Sequence, residues 1–261
     1  MITPLSSIAD KIASKKGMRK DDFLKNCKDC SLIVDDEEFE TALSYINNLG
    51  LETTVKDEKI FSASRFRDYK DEEFCVVDIE TNGNSPKSDQ IIEIGAIKYK
   101  NGEIIDRFES FVYSDFVPEY IERITHIAKD DLKDAPSLKS VLISFREFLG
   151  SSVFVAHNVR FDYNFISESL KRFGYDEMLN RRLCTINLAK KTIESEKYGL
   201  SYLQEKLDLN PQNRHRAYAD ALSALKIMEI SLKQLPKEVK TTEDLIEFSN
   251  PPRRKKPKAS L

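Results

Sequence analysis

Residues 75 to 83 read CVVDIETNG, an apolar run interrupted by Asp78 and Glu80. Residues two apart on a strand share a face. Two carboxylates that close repel each other unless positive charge sits between them. Taken alone, the pair would also suit a strand end with one wet face. Two further acids stand where apolar segments begin. Asp162 lies in HNVRFD, just after the strand-like SSVFVA, and Asp220 lies in HRAYAD at the opening of a long helical stretch. Ala217, Ala219, Ala221 and Ala224 around Asp220 are small, as where another element packs closely. Four carboxylates from three segments make a hard-oxygen cage, which suits Mg²⁺ or Mn²⁺ better than zinc. Two such ions about 3.5–4 Å apart can clamp the attacking and leaving oxygens of an in-line phosphoryl displacement. Hydrolysis then needs a base, and histidine titrates near neutral pH. Of the three histidines, His126 lies away from the acidic segments and reads as structural. His157 ends a strand and reads as a loop anchor. His215, in a polar loop five residues before Asp220, is the candidate base.

The elements that must position these groups fall into three zones. Residues 1–70 read as a small α+β accessory domain of helices followed by a hairpin around Asp57-Glu58. That order resembles a winged-helix module. Residues 71–235 read as mixed α/β. Three strands, at EEFCVVDIET, QIIEIGAIKYK and EIIDRFESFVYS, form an antiparallel meander whose second turn is Asn101-Gly102. SLKSVLISFREFLG is a helix with apolar residues at helical spacing, and alternating strands and helices follow. The expected plan is three layers around a mixed sheet, the meander plus parallel strands. Residues 236–261 read as a short helix and a disordered tail with five basic residues among the last nine.

The chain has 261 residues, 40% of them hydrophobic, enough for a large core. Asp and Glu number 44 against 41 Lys and Arg, a net charge of −3. Nucleic-acid binding would therefore need a local basic patch or metal ions that offset the acids. No apolar run approaches 18 residues, and the N-terminus has no apolar signal core. Four scattered cysteines do not make a disulfide framework, so a reducing cytoplasm is the expected setting. The C-x-x-C of Cys27 and Cys30 lacks two further ligands for structural zinc.

DIETNG, HNVRFD and HRAYAD resemble, in order, the three motifs of the DnaQ-like (DEDDh) 3'-5' exonucleases. The similarity covers roughly residues 72 to 233. It implies an RNase H-like fold and a metal-dependent exonuclease that releases nucleoside 5'-monophosphates from a 3' end. By this resemblance Asp78, Glu80, Asp162 and Asp220 are metal ligands for two divalent cations, and His215 is the base. Thr81, Asn82, His157, Asn158 and Phe161 match substrate-side positions, with His157 and Asn158 as supports. The proofreading epsilon subunit of bacterial DNA polymerase III is similar in character. That similarity implies single-stranded or frayed 3' ends as substrate, DNA favoured, a DNA polymerase catalytic subunit as partner, and work in replication or repair. The first 70 residues depart from that layout, as does Thr125-His126-Ile127 where many relatives carry Thr-Gly-Ile. A ribonuclease trimming RNA ends is the same-chemistry alternative. A non-catalytic DNA-binding adaptor is the alternative of another class, and an intact acidic set argues against it.

Overall fold

The computed structural model describes residues 5–30, 32, 38–209 and 215–250. The basic tail expected beyond residue 250 lies outside them. The chain opens with α1 (Leu5–Ile12), β1 (Met18–Arg19), α2 (Lys20–Asp29), α3 (Phe39–Asn48), β2 (Thr53–Lys56) and β3 (Lys59–Ser62). The three strands form an antiparallel sheet in the order β1-β3-β2. Asp57 and Glu58 both take positive φ, which a two-residue hairpin needs to follow the strand twist. Ile8, Ile12, Phe23, Leu43, Ile46 and Ile60 fill the core between helices and sheet. This is the element order of a winged-helix module.

The larger sheet has five strands: β4 (Phe74–Thr81), β5 (Ile91–Lys100), β6 (Glu103–Phe111), β7 (Val153–Ala156) and β8 (Arg182–Cys184). Their order is β6-β5-β4-β7-β8. The meander β4-β5-β6 is antiparallel, and β7 and β8 continue the sheet in parallel with β4. Asn101 and Gly102 form the expected tight turn, both at positive φ. After β6 come the short α4 (Glu119–Thr125) and α5 (Lys129–Leu132). His126 closes α4 in the left-handed region, φ 56°, with its N–H donated to Glu122 O. A glycine would take that conformation without steric cost.

Helices cover both faces of the sheet. On one side α6 (Leu138–Leu149) and α7 (Val159–Arg172) pack Leu142, Phe145, Phe165 and Ile166 against Cys75, Val77, Ile79 and Phe154. On the other, α8 (Thr185–Thr192), α10 (Ala217–Leu232) and α11 (Thr242–Ser249) pack Leu188, Ala221, Leu225 and Leu245 against Phe74, Val76 and Val155. The short α9 (Leu200–Lys206) packs Leu203 on Ala189 and Ile227. Strand alternation therefore sends Asp78 and Glu80 to the α10 face, in line with Phe74 and Val76.

The N-terminal zone is tied to this body. Leu179 completes its core and donates its N–H to Leu49 O at the end of α3, 2.7 Å. The start of α11 is the other tie. Glu243, 1% exposed, accepts from Ser64 at 2.7 Å and from Arg181 Nε and Nη2 at 2.6 and 2.7 Å. Charge-assisted, bidentate contacts of this kind are the strong ones.

One contact fixes where α10 can sit. Gly95 faces Asp78 across the β4–β5 ladder. A Cβ there would lie 2.2 Å from Tyr218 N and 2.3 Å from the Ala217 carbonyl carbon. The first turn of α10 thus lies directly on the backbone of β5, which brings Asp220 down toward β4. Gly95→Ala is expected to lower stability by about 1–3 kcal/mol, the usual range for overpacking. Gly199→Ala, with open space around it, should change stability by less than about 1 kcal/mol. Urea denaturation of both variants checks the contrast.

Candidate active site

The sheet brings the sequence-selected acids to one place. Ligand oxygens of Asp78, Glu80 and Asp220 all lie within 4.8 Å of one another. Asp162 reaches the group from the first turn of α7, 3% exposed. Its carboxylate is bonded by its own backbone N–H and that of Ile79. Chain direction makes this possible. β7 pairs with β4 only as far as Val76, and beyond that row the edge of β4 is open to α7.

The crowding shows in the acidities. Burial first, then Asp162, Glu80 and Asp220, holds Asp78 well above the ordinary carboxyl range. Glu80 is pushed up to about 8 by burial and by Asp220, Glu93 and Asp162. Burial raises Asp162 to about 7 against the pull of its two N–H donors. Burial also raises Asp220, while a hydrogen bond from Gln204 and the nearby His215 draw it back. The protein supplies too little positive charge to ionise all four acids, so without a cation they are held toward their protonated forms. The site's donors are carboxylate oxygens, so a divalent cation fits the gap they surround.

His215 adjoins Asp220 through both its ring and a backbone hydrogen bond. Its backbone is left-handed, φ 62°, and it is part exposed. His157 is placed differently. Its Nδ1 lies 2.8 Å from Thr185 Oγ1 and its Nε2 2.9 Å from Tyr198 O. Burial pushes it down to about 4. A neutral ring with both nitrogens engaged is a support, with no nitrogen left for a substrate.

The other sequence-selected residues divide in the same way. Thr81 is buried and donates to Gly83 O at 2.7 Å. Asn82 accepts from Gln90 N at 2.7 Å and donates to Phe116 O at 3.2 Å, so its amide shapes the loop after β4. Asn158 is exposed, at the left-handed residue that starts α7. With Asn84, Pro86, Arg160 and Phe161 it lines a hollow of about 330 Å³.

Three residues that the sequence did not single out hold the acids in position. Glu93, opposite Glu80 on β5, is 1% exposed. It accepts from Arg216 Nη2 at 2.8 Å and Nε at 3.1 Å, and from Ala217 N at 3.0 Å. This carboxylate ties down the N-terminus of α10, where negative charge is favourable. Gln204 on α9, also 1% exposed, donates to Asp220 Oδ1 and to Ser223 Oγ, each at 3.1 Å. Glu93 left one signal, an acid inside the apolar run QIIEIGAI. Gln204 and Arg216 left none.

Convergent acids at the end of a central strand, in a mixed sheet sandwiched by helices, are the arrangement a metal-dependent nuclease needs. Residues 75–228, more than half of the chain, match the RNase T exonuclease family model. The chain belongs to this DnaQ-like exonuclease family and is a hydrolase. It is 41% identical over 179 residues to the PolC-type DNA polymerase III of Staphylococcus haemolyticus, covering 67% of this chain and 12% of that protein. The PolC-type enzyme of Staphylococcus aureus is 38% identical over 195 residues, 73% of this chain and 13% of that one. The chain thus spans about an eighth of the length of these relatives. Among solved structures, Escherichia coli exonuclease I with a dA16 oligonucleotide aligns with TM-score 0.55 at 17% identity, over 64% of this chain and 42% of that one. Cell-death related nuclease 4 aligns with TM-score 0.55 at 15% identity, over 63% and 64%. These two share the fold. No helix among the described residues is long and apolar enough to cross a membrane.

The raised carboxyls make a stability prediction for the metal-free chain. In the folded state they keep protons that the unfolded chain has lost above about pH 4. Stability should therefore fall as pH rises through about 4 to 8. Divalent cation should restore it, and more strongly near pH 8 than near pH 5, because it binds the ionised form. Urea midpoints in EDTA and in millimolar Mn²⁺ at the two pH values check this. Equal metal effects at both would show that these acids do not bind the ion.

Proposed function

We propose that the protein is a 3'-5' exonuclease that hydrolyses the terminal phosphodiester of DNA and releases nucleoside 5'-monophosphates. The observation that carries this reading is the meeting of Asp78, Glu80 and Asp220 oxygens within 4.8 Å, beside Asp162. These four residues would hold two divalent cations, Mg²⁺ or Mn²⁺, and no thiol stands among them to favour a softer metal. When bound, such ions neutralise charge on the attacking and leaving oxygens of the phosphate. The protein supplies the remainder. His215, part exposed beside Asp220, takes the proton of the attacking water. Gln204 and Glu93 keep Asp220 and α10 in register with β4. The hollow at Asn158 and Phe161 receives the terminal nucleoside, while Thr81 and Asn82 fix the loop after β4 and His157 anchors the end of β7 to Thr185 and Tyr198.

DNA is favoured over RNA because PolC-type relatives 38–41% identical to this chain are DNA polymerases. The same likeness supports a role in proofreading or repair beside a polymerase catalytic subunit, on single-stranded or frayed 3' ends. Four cysteines left as free thiols suit the cytoplasm.

The test uses matched 5'-labelled DNA and RNA strands, 3' end free or blocked, with Mg²⁺, Mn²⁺ or EDTA. A ladder growing from the free 3' end of DNA, and only with metal, is expected. Cleavage that ignores a blocked 3' end, or that persists in EDTA, would overturn the reading. Asp78→Ala should abolish cleavage and leave the fold intact, since it relieves repulsion and removes no packing group; circular dichroism checks the fold. His215→Ala should lower kcat by about 10²–10⁴-fold. An unchanged rate would take the base role from His215.

A further inference from the structure

A groove of about 1080 Å³ lies between the N-terminal zone and the nuclease body. Arg182 and Cys184 of β8 form its floor. β8 is the last strand of its sheet, so among the described residues no strand covers that edge. Lys15 and Lys16, just past α1, stand on one wall, and Lys191 of α8 on another. Val159, the first residue of α7, closes the near end. Asp162 follows Val159 by three residues on α7, within one helical turn of the groove's end.

Its charge is positive in an acidic chain. Five basic and three acidic side chains line it, against a net charge of −3 for the whole sequence. Two of the acids are already spent. Glu243 is held by Arg181 at 2.6 Å, and Glu247 by Lys15 at 2.9 Å and Arg65 at 3.1 Å. Among the described residues no carboxylate pairs with Lys16, Arg182 or Lys191. Arg182 lies over the Tyr163 ring at 4.7 Å, and Lys191 donates to Asn250 O at 2.9 Å.

We infer that this groove seats the sugar-phosphate backbone of the single strand whose 3' end lies at the carboxylates, and that the N-terminal zone exists in this chain to wall it. The inference rests on the nucleic-acid reading of the site. Lysine and arginine contacts to phosphate position a strand without reading its sequence, as an exonuclease needs. The groove also solves a charge problem: the strand's backbone is guided by a positive channel toward an acidic centre.

The test measures binding of the full chain to 5'-labelled oligo-dT and oligo-rU by fluorescence anisotropy in EDTA over a salt series. Strands of about four and about 20 nucleotides bracket the site sizes of single-strand grooves. Lys16→Ala with Arg182→Ala should weaken the long strand about tenfold more than the short one. The log-log salt slope should become shallower by about 1.4, since each single-strand phosphate contact contributes about 0.7. Lys16→Glu alone is the second variant, because Arg182 also packs on Tyr163. It should weaken the long strand too, whereas Lys59→Ala on β3 should not. Unchanged affinity and slope for the long strand in both groove variants would overturn the inference, and would leave the β8 edge to a peptide partner. If the long strand binds through these residues yet is never shortened with Mn²⁺, the groove stands and the catalytic reading falls.

Discussion

The organising constraint of this molecule is the crowding of Asp78, Glu80, Asp162 and Asp220 in a partly buried space. Each acid is held above its ordinary acidity range, with burial as the largest cause. A chain gains no stability from such a cluster without a cation. Much of the local architecture is what is needed to assemble it regardless. Gly95 leaves no side chain on β5 to hold the first turn of α10 away from the sheet. Glu93 accepts from the first N–H of α10 and from Arg216, so the helix is anchored by an acid that is itself neutralised. The early end of β7 leaves the Ile79 N–H to bond Asp162. Five acids meet in this region, and among the described residues only Glu93 forms an ion pair with an arginine. That difference separates the acid that positions from the four that remain available to a metal.

The periodic parts of this arrangement were legible in the sequence. Alternation placed Asp78 and Glu80 on one face, Asn101-Gly102 set the meander, and the small residues around Asp220 pointed to close packing. The sequence did not say what that close packing was against. Gly95 belongs to another strand, and a glycine in a strand has several ordinary explanations. Gln204 was invisible for the same reason: its partners Asp220 and Ser223 are distant in the chain, and buried amides leave no periodic trace. Asn82 and His157 were legible as motif positions but not by orientation. Both turn their polar atoms into the protein, a choice made by tertiary partners at Gln90, Phe116, Thr185 and Tyr198.

The N-terminal zone has the element order of a winged-helix module, yet its third helix is not free. In helix-turn-helix readers a recognition helix enters the major groove. Here the end of α3 receives Leu179 through a backbone hydrogen bond, and Tyr45 on α3 bonds Asp176. The hairpin tip is Asp57-Glu58, two acids that a duplex backbone would repel. A module with its reading helix docked and its wing acidic is poorly suited to duplex recognition. Its basic residues at Lys15 and Lys16 face the nuclease body instead.

The docking is also specific in a way that loose tethering would not require. Arg67 bridges Glu52 of the N-terminal zone at 2.7 Å and Glu72 before β4 at 2.8 Å. Its carbonyl accepts from Thr242 N, and Asp68 bridges to Thr241, so α11 starts against the same stretch. α11 in turn buries Leu245 and Ile246 in the core behind the sheet. Three segments remote in sequence thus share one polar seam next to an apolar core. An interface that is polar at a buried carboxylate is worth most for orientation, because a shifted register would strand Glu243 without its arginine. Orientation is what a groove walled by both parts demands: Lys16 and Arg182 can act on one strand only if the two walls keep a fixed spacing.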